Sequence, residues 1–536
     1  MNRRRFLARS SVALWGPVLS RSLLSGVAPL ALGAMAATPA HAAGGTLKAG
    51  LNADIRGTNP FGGRDQNTDA VLLHCAEGLV AFRENAEIGP MLADSWSVGE
   101  DGKTYRFTLR EGVTFHNGAP LTAEDVVWIW RKLLDPATQW RGLPDFDGHG
   151  ATKVVDVAAP DAQTVVFTLD RPNALFLVNM ARPDYGESSI LHRDSWKADG
   201  SWSKLIGTGP FTLGSWQPGQ SITLDRFPGY ASRPGPRDGY TGGKHALVDR
   251  VQISVIPDPN AMAAAIISGG IDVSWPVSPT ALANIKGNSG IEIISQPSLD
   301  MYAVLMQTRD PLLRDVRIRR ALAMSISAPD IADGATHGTA APNSSAVPVS
   351  SPFYTNVEKK AWPYDPDAAQ KLLTEAGYHG QPIKLIANTQ YPIMNDAAVL
   401  VQAMAQQAGL ALEIELTDWA TQLDRYSRGD YQAMVFGFSP RLDLSQSFDT
   451  FMGPKATQPR KVWDDGQAQA LLTQSMQTLD HAKRQAIFDQ LHRLLVEQVP
   501  LIPLVNSLSI SAKRSAVSGY KSWPGDAARY WDVGLA

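Results

Sequence analysis

Leu109-Arg110-Glu111-Gly112-Val113-Thr114-Phe115-His116-Asn117-Gly118, then Leu121-Thr122-Ala123-Glu124-Asp125-Val126, is the stretch from which this chain reads outward. Just upstream, Tyr105, Phe107 and Leu109 alternate with Thr104, Arg106, Thr108 and Arg110. That period of two predicts a half-buried strand. Asn117-Gly118 supplies a turn. Thr122 and Asp125 have the spacing of a capping box, so a helix should start there. Val126, Ile129, Trp130 and Leu133 fall on one face of that helix, and Asp135-Pro136 ends it.

The same two periods alternate along the rest of the chain. Val165, Phe167 and Leu169 predict another strand. Asp365 is a good N-cap, Pro366 suits the first helical position, and Gly377 suits the stop. Ile383 to Ile386 reads as a strand, followed by a helix with Leu400, Met404 and Ala408 inward that ends at Gly409. Leu412, Ile414 and Leu416 alternate with Glu413 and Glu415 as the next strand, so a right-handed parallel crossover is expected. Near the C-terminus Ile487, Leu491, Leu494 and Leu495 share a helical face ahead of Pro500 and Pro503. The expectation is a mixed α/β protein, too long at 536 residues for one ordinary core.

The N-terminus reads as a leader. Arg3-Arg4-Arg5-Phe6-Leu7 resembles a twin-arginine export signal, and Ala40-His41-Ala42 has the small-residue pattern of a cleavage site. Arg21 and Pro29 interrupt the apolar run, so a membrane span is not expected. Residues 1–42 hold five of the 49 basic residues and no acid, which leaves 44 bases against 52 acids, a net charge of −8. No basic block remains to follow a phosphate backbone, which argues against nucleic acid as a partner. Cys75 is the sole cysteine and reads as a small buried apolar residue.

Motifs for bond-making chemistry are missing. The ten histidines show no metal spacing, there is no G-x-S-x-G elbow, and no cysteine pair exists. Gly207-Thr208-Gly209 starts like a dinucleotide loop, but Pro210 follows and Thr212 stands where the third glycine belongs. Gly242-Gly243-Lys244-His245 misses a P-loop, with Asp238 at the first glycine position and His245 at the Ser/Thr position. The expectation is a non-enzyme with no cofactor and no metal site.

Met91-Leu92-Ala93-Asp94-Ser95-Trp96, Asp101-Gly102-Lys103-Thr104-Tyr105 and the opening stretch together resemble the signature of the bacterial family 5 solute-binding proteins, the dipeptide, oligopeptide and nickel receptors of ABC importers. Gly207-Thr208-Gly209-Pro210-Phe211, Asp315 through Ala323, Tyr364 through Leu373, and Pro500-Leu501-Ile502-Pro503-Leu504 resemble further family segments in the same order. The resemblance implies a periplasmic-binding-protein-like flytrap, with two large α/β lobes, a smaller third subdomain and a two-segment hinge near residues 300–308 and 504–510. The implied division gives lobe I residues 43–88, 204–305 and 504–536, the small subdomain 89–203, and lobe II 306–503. It implies a monomer in the periplasm that hands its solute to an inner-membrane ABC permease with its ATPases. Ligand energy would close the hinge, with no bond made or broken. Gly207 to Phe211 becomes a structural turn feeding a core strand.

In peptide-binding relatives an extended peptide lies between the lobes and a family aspartate after an aromatic residue holds its amine. By resemblance Trp419 and Phe438 take aromatic positions here, while Arg441 falls on the amine-binding position and Asp443 two residues later. Either Asp443 takes over the amine, or Arg441 reverses the preference and its planar fork holds a carboxylate. Trp419 and Phe438 read equally as core aromatics, and Arg441 with Asp443 as a loop ion pair. A peptide is the expected solute, with an opine or other carboxylate-bearing conjugate as the alternative. A nickel complex, an enzyme substrate or an unfolded client of a chaperone are remoter.

Overall fold

The alternating segment is a strand, Thr104–Leu109, that buries Tyr105, Phe107 and Leu109 and leaves Arg106 and Thr108 exposed. The computed structural model describes residues 44–536 apart from 63–65, 150, 151, 389, 479 and 526. The leader, with Arg3, Arg4 and the cleavage pattern, lies outside the described residues. Thr104–Leu109 pairs antiparallel with Ala93–Val98 and Thr164–Leu169, and Val154–Ala158 completes a four-stranded sheet. The helix Ala123–Leu133 turns Val126, Ile129, Trp130 and Leu133 onto it. Its first turn is fixed by Asp125, which accepts from the Thr122 N–H at 3.0 Å and the Thr122 hydroxyl at 2.7 Å. Trp130 meets Phe167 and Phe146 edge-on at 4.9 and 5.2 Å.

A second, twelve-stranded sheet forms the body. Its organising element is the 14-residue strand Leu501–Arg514. The first part pairs antiparallel with Met301–Met306, and the remainder pairs with Ile291–Pro297 and Val273–Ser274. Beyond Met301–Met306 lie Ala433–Phe438, Ile383–Asn388 and the edge strand Leu412–Thr417. On the other side Val273–Ser274 leads to Thr46–Leu51, Arg250–Val255, Ser221–Arg226 and Phe211–Gln217. One continuous strand therefore belongs to both halves.

The half around Met301–Met306 is covered on both faces, which explains its unbroken apolar runs. Successive side chains point to opposite faces. Val304, Val435 and Leu385 face one core with the helices Val316–Ser325, Pro366–Glu375 and Pro392–Gln407. Ala303, Met434, Phe436 and Ile386 face the other, with Gly466–Gln477 and His481–Gln498. The crossover is parallel, with Ile383 opposite Leu412. Asp365 caps its helix by accepting from the Ala368 N–H at 2.9 Å.

One inward face differs from the periodicity reading. In Pro392–Gln407 the buried residues are Met394, Ala397, Ala398, Val401 and Ala405, with Ala408 buried just past the end, while Leu400 and Met404 are only half-buried at the flank. The alanines face the sheet because their small side chains let the helix backbone approach it closely. Leu416 is 54 % exposed because its strand is an edge of the sheet.

Gly207-Thr208-Gly209 is a packing turn. A Cβ on Gly207 would stand 2.1 Å from the Cys75 carbonyl oxygen, and one on Gly209 2.4 Å from that of His74. Glycine is required there by close backbone approach. Thr208 donates to the buried Glu77 at 3.0 Å, and Lys244, the lysine of the P-loop near-miss, pairs with the same carboxylate at 3.1 Å. Tyr230 adds a donor at 2.8 Å. Cys75 is buried, and burial pushes its thiol well up from its ordinary value.

Candidate functional site

The strand Ala433–Phe438 ends where the sheet stops, and the chain continues as the loop Ser439-Pro440-Arg441-Leu442 before the helix Leu444–Asp449. Ser439, Arg441 and Gln446 wall one side of a cavity of about 210 Å³. The opposite wall comes from the other half of the molecule and includes Asp69, Arg182, Asp184 and Tyr240. Ser298 and Asp300, just before the strand Met301–Met306, lie where the halves meet. The site is an interlobe cleft.

Its electrostatics are built from paired charges. Arg182 grips Asp184 with two hydrogen bonds, Nε to Oδ1 at 3.0 Å and Nη2 to Oδ2 at 2.8 Å, and reaches Asp145 at 3.3 Å. Burial alone would raise the Asp184 carboxyl, but the Arg182 hydrogen bonds and charge hold it below the usual carboxylate range, with Arg141 and Arg441 adding to the effect. Arg441 therefore acts electrostatically across the cleft. Its Nη1 donates to the Pro440 carbonyl at 3.0 Å and more weakly to that of Ser439 at 3.4 Å. Asp300 accepts from the Ser507 N–H at 2.8 Å and from the Ser507 hydroxyl, which ties it to the long strand. The Tyr240 ring is held by Trp523 and Trp531 at 5.1 and 5.5 Å, and its buried hydroxyl has no hydrogen-bond partner among the described residues.

The four residues singled out in the sequence fall in three places. Arg441 is on the cavity wall. Asp443 faces away, is 5 % exposed and caps Leu444–Asp449 by accepting from the Ser445 N–H at 2.9 Å. Arg484 donates to both of its carboxylate oxygens, at 3.0 and 2.8 Å. The cation that Asp443 meets is thus Arg484, which arrives from another helix. Trp419 opens the helix Trp419–Arg428 and stacks on Phe436 at 5.7 Å, with Tyr391 edge-on at 4.9 Å. Phe438 continues this ladder of rings, 5.2 Å from Phe436 and 6.0 Å from Phe451. Both half-buried rings back the strand that delivers Arg441, beside the cavity and not among its lining residues. Asp69, Arg182, Asp184 and Tyr240 carried no sequence signal. They are scattered polar residues on short elements, with Arg182 and Asp184 together at the start of the turn Pro183–Ser188, and no period or motif marks them.

A polar cleft walled by two lobes that share a strand defines a receptor of the flytrap type. This class closes over a solute held between the lobes. The chain belongs to the bacterial extracellular solute-binding proteins, family 5 Middle, which it matches over residues 87–458. Among its relatives, Di/tripeptide-binding protein 4 of Pseudomonas aeruginosa is 28 % identical over 479 residues, covering 82 % of this chain and 86 % of that one. Of solved structures, HbpA2 from Haemophilus parasuis superposes with a TM-score of 0.80 at 22 % identity, covering 92 % of this chain and all of that one. AgaA from Agrobacterium tumefaciens R10 in complex with agropinic acid superposes at 0.68 with 24 % identity, covering 92 % and 99 %. Among the described residues no helix is long and apolar enough to cross a membrane.

Proposed function

We propose that this chain is the exported, periplasmic solute-binding component of an ABC importer and that it captures a peptide or peptide-like solute in the cleft between its lobes. The observation that carries the reading is the placement of Arg441 on one cleft wall, facing a wall from the other lobe, in a chain similar to di/tripeptide-binding proteins. Arg441 takes the solute's carboxylate, because a guanidinium offers a planar fork of donors that matches it. The strands Met301–Met306 and Leu501–Arg514, which run between the lobes, serve as the hinge. Trp419 and Phe438 support the strand that presents the site, and Asp443 with Arg484 locks the loop after it. Closure is a population shift driven by ligand contacts available only in the closed form. The closed form is what the permease reads.

A second reading keeps the receptor and changes the solute to an opine-like carboxylate conjugate. It is favoured by Arg441 together with the likeness to AgaA, whose structure holds agropinic acid. Mass spectrometry of the solute released when freshly purified protein is denatured separates the two. Peptides are expected. Recovery of a sugar or amino-acid conjugate alone selects the second reading. Failure of calorimetry to detect saturable binding of any small solute from either class overturns the receptor proposal.

A further inference from the structure

The turn Pro183–Ser188, with Arg182 at its start, brings Arg182 and Asp184 to the cleft wall. Its last three residues, Gly186, Glu187 and Ser188, have φ of +65°, +52° and +46°. Two successive side-chain-bearing residues in the left-handed region are unfavourable on their own, so the surroundings must impose them. The Glu187 N–H donates to the Arg182 carbonyl at 2.9 Å, and a Cβ on Gly78 would stand only 2.2 Å from the Glu187 carbonyl oxygen. Held this way, Glu187 is 1 % exposed, and neither of its carboxylate oxygens has a hydrogen-bond partner among the described residues. The charged groups around it are the buried Lys244–Glu77 pair, 3.1 Å apart, and, on the helix Gln66–Leu72 that packs on the turn, Asp69 in its pair with Arg141 at 3.3 Å. Tyr240 of the cleft wall also feels the acid, since burial raises its phenol and the Glu187 charge raises it further. A carboxylate placed here would lack both water and donors, so the packed turn favours the neutral acid. Burial pushes the carboxyl up to about 8, with Lys244 opposing the rise and Glu77 adding to it.

We propose that Glu187 is a proton-operated latch behind the cleft wall: its neutral acid holds the turn, and with it Arg182 and Asp184, in the solute-binding arrangement, and loss of the proton releases them. Once ionised, the side chain is drawn toward water. The turn moves with it, because the Glu187 N–H is bonded to Arg182 itself. The wall residues Arg182 and Asp184 therefore depend on one proton that no solute touches. The inference rests on the reading of the cleft as a solute site and adds a control on it. Solute capture weakens in alkaline surroundings, and by reciprocity solute binding near pH 8 draws a proton onto the protein.

Calorimetric titration of the full chain with Ala-Ala at pH 6.5 and pH 9 tests this, on the wild type and on Glu187→Gln, which keeps the neutral shape at both. The dipeptide's own amine titrates in the same range, so the quantity read is the ratio of the two proteins' affinities, in which that effect cancels. At pH 9 only about one wild-type molecule in ten keeps the proton, so the wild type should lose about tenfold relative to the variant. A ratio that is the same at both pH values overturns the latch. Circular dichroism establishes folding, and Glu187→Met replaces the Gln variant if that one does not fold. A protein that folds with neither neutral side chain overturns the latch as well, since the neutral form is the one that holds the turn. If Ala-Ala binds neither protein, the peptide reading fails, and amide hydrogen exchange of the empty proteins decides the latch. Exchange across residues 182–190, corrected for its intrinsic pH dependence, should speed up from pH 6.5 to 9 in the wild type and not in the variant. An equal change in both overturns the latch.

Discussion

Arg441 and Asp443, two residues apart, point into different surroundings, and this separates their effects on mutation. Arg441 lies on the cleft wall with its loop carbonyls as anchors, whereas Asp443 is buried against Arg484. Arg441→Ala should weaken solute binding by about 2–5 kcal/mol, because the ligand carboxylate is left desolvated without its donor. That is roughly 30-fold or more in affinity, read by calorimetry against little change in the melting temperature of the empty protein. Arg441→Lys should recover only part, since the charge returns without the fork. Asp443→Asn should act on the fold instead. It keeps a capping side chain but leaves Arg484 buried without its counter-ion, and losing one partner of a buried pair costs about 3–5 kcal/mol. Urea unfolding of the empty variant measures this. If Asp443→Asn leaves stability intact but abolishes binding, the acid is the amine holder and Arg441 is scaffolding.

The turn Gly207–Gly209 shows how one element can depend on a neutral side chain. His116 Nδ1 accepts from the Gly207 N–H at 3.3 Å and its Nε2 lies 3.1 Å from the Gly209 carbonyl, so the ring must carry its proton on Nε2 alone. Burial pushes its pKa down to about 4, against about 6.5 in the unfolded chain. The folded state holds the neutral form, so the unfolded state binds the proton first as pH falls. The stability this histidine contributes is present above about pH 6.5 and is lost as pH drops toward 4. His116→Gln should melt lower at pH 8 and lose less on going from pH 6.5 to 4, in thermal unfolding followed by circular dichroism. Glu187 carries the opposite sign. It is fully buried with φ at +52°, and burial pushes its carboxyl up to about 8. Its contribution is present below the unfolded carboxyl value and is lost as pH rises through about 8. Glu187→Gln should therefore gain on the wild type between pH 5 and pH 8. Gly207→Ala is a steric test of the same turn. Its Cβ would collide with backbone, so a loss of at least about 1–3 kcal/mol is expected.

Across the whole molecule, the long strand Leu501–Arg514 couples the lobes by pairing with Met301–Met306 along its first part and with Ile291–Pro297 along its second. If these strands are the hinge, saturating solute should reduce the radius of gyration in solution scattering. The melting temperature should also rise with solute concentration, by an amount equivalent to about 2.7 kcal/mol at a hundred times Kd. A scattering profile that does not change at saturation removes the closure mechanism, even if binding is tight.

The local elements were legible because they obey short-range rules. The strand Thr104–Leu109, the helix Ala123–Leu133 with its Thr122 and Asp125 cap, the helix begun by Asp365-Pro366 and each separate element of the crossover from Ile383 to Thr417 follow from side-chain period and cap chemistry within their own short segments. The family was legible because several such segments stand in a fixed order. The inward face of Pro392–Gln407 was not, since whether Leu400 or Val401 points inward is set by how closely the sheet approaches. The cleft was legible only at Arg441. Asp69, the Arg182–Asp184 pair and Tyr240 become one wall only after segments distant in sequence pack together, and a lone polar residue has no period to announce it. Likewise the partner of Asp443 could not be read locally, because Arg484 lies 41 residues away and only packing of its helix brings the two charges together. Sequence alone determined the elements and the family. The pairing of strands far apart in the chain decided which charges meet, which are buried and which face the solute.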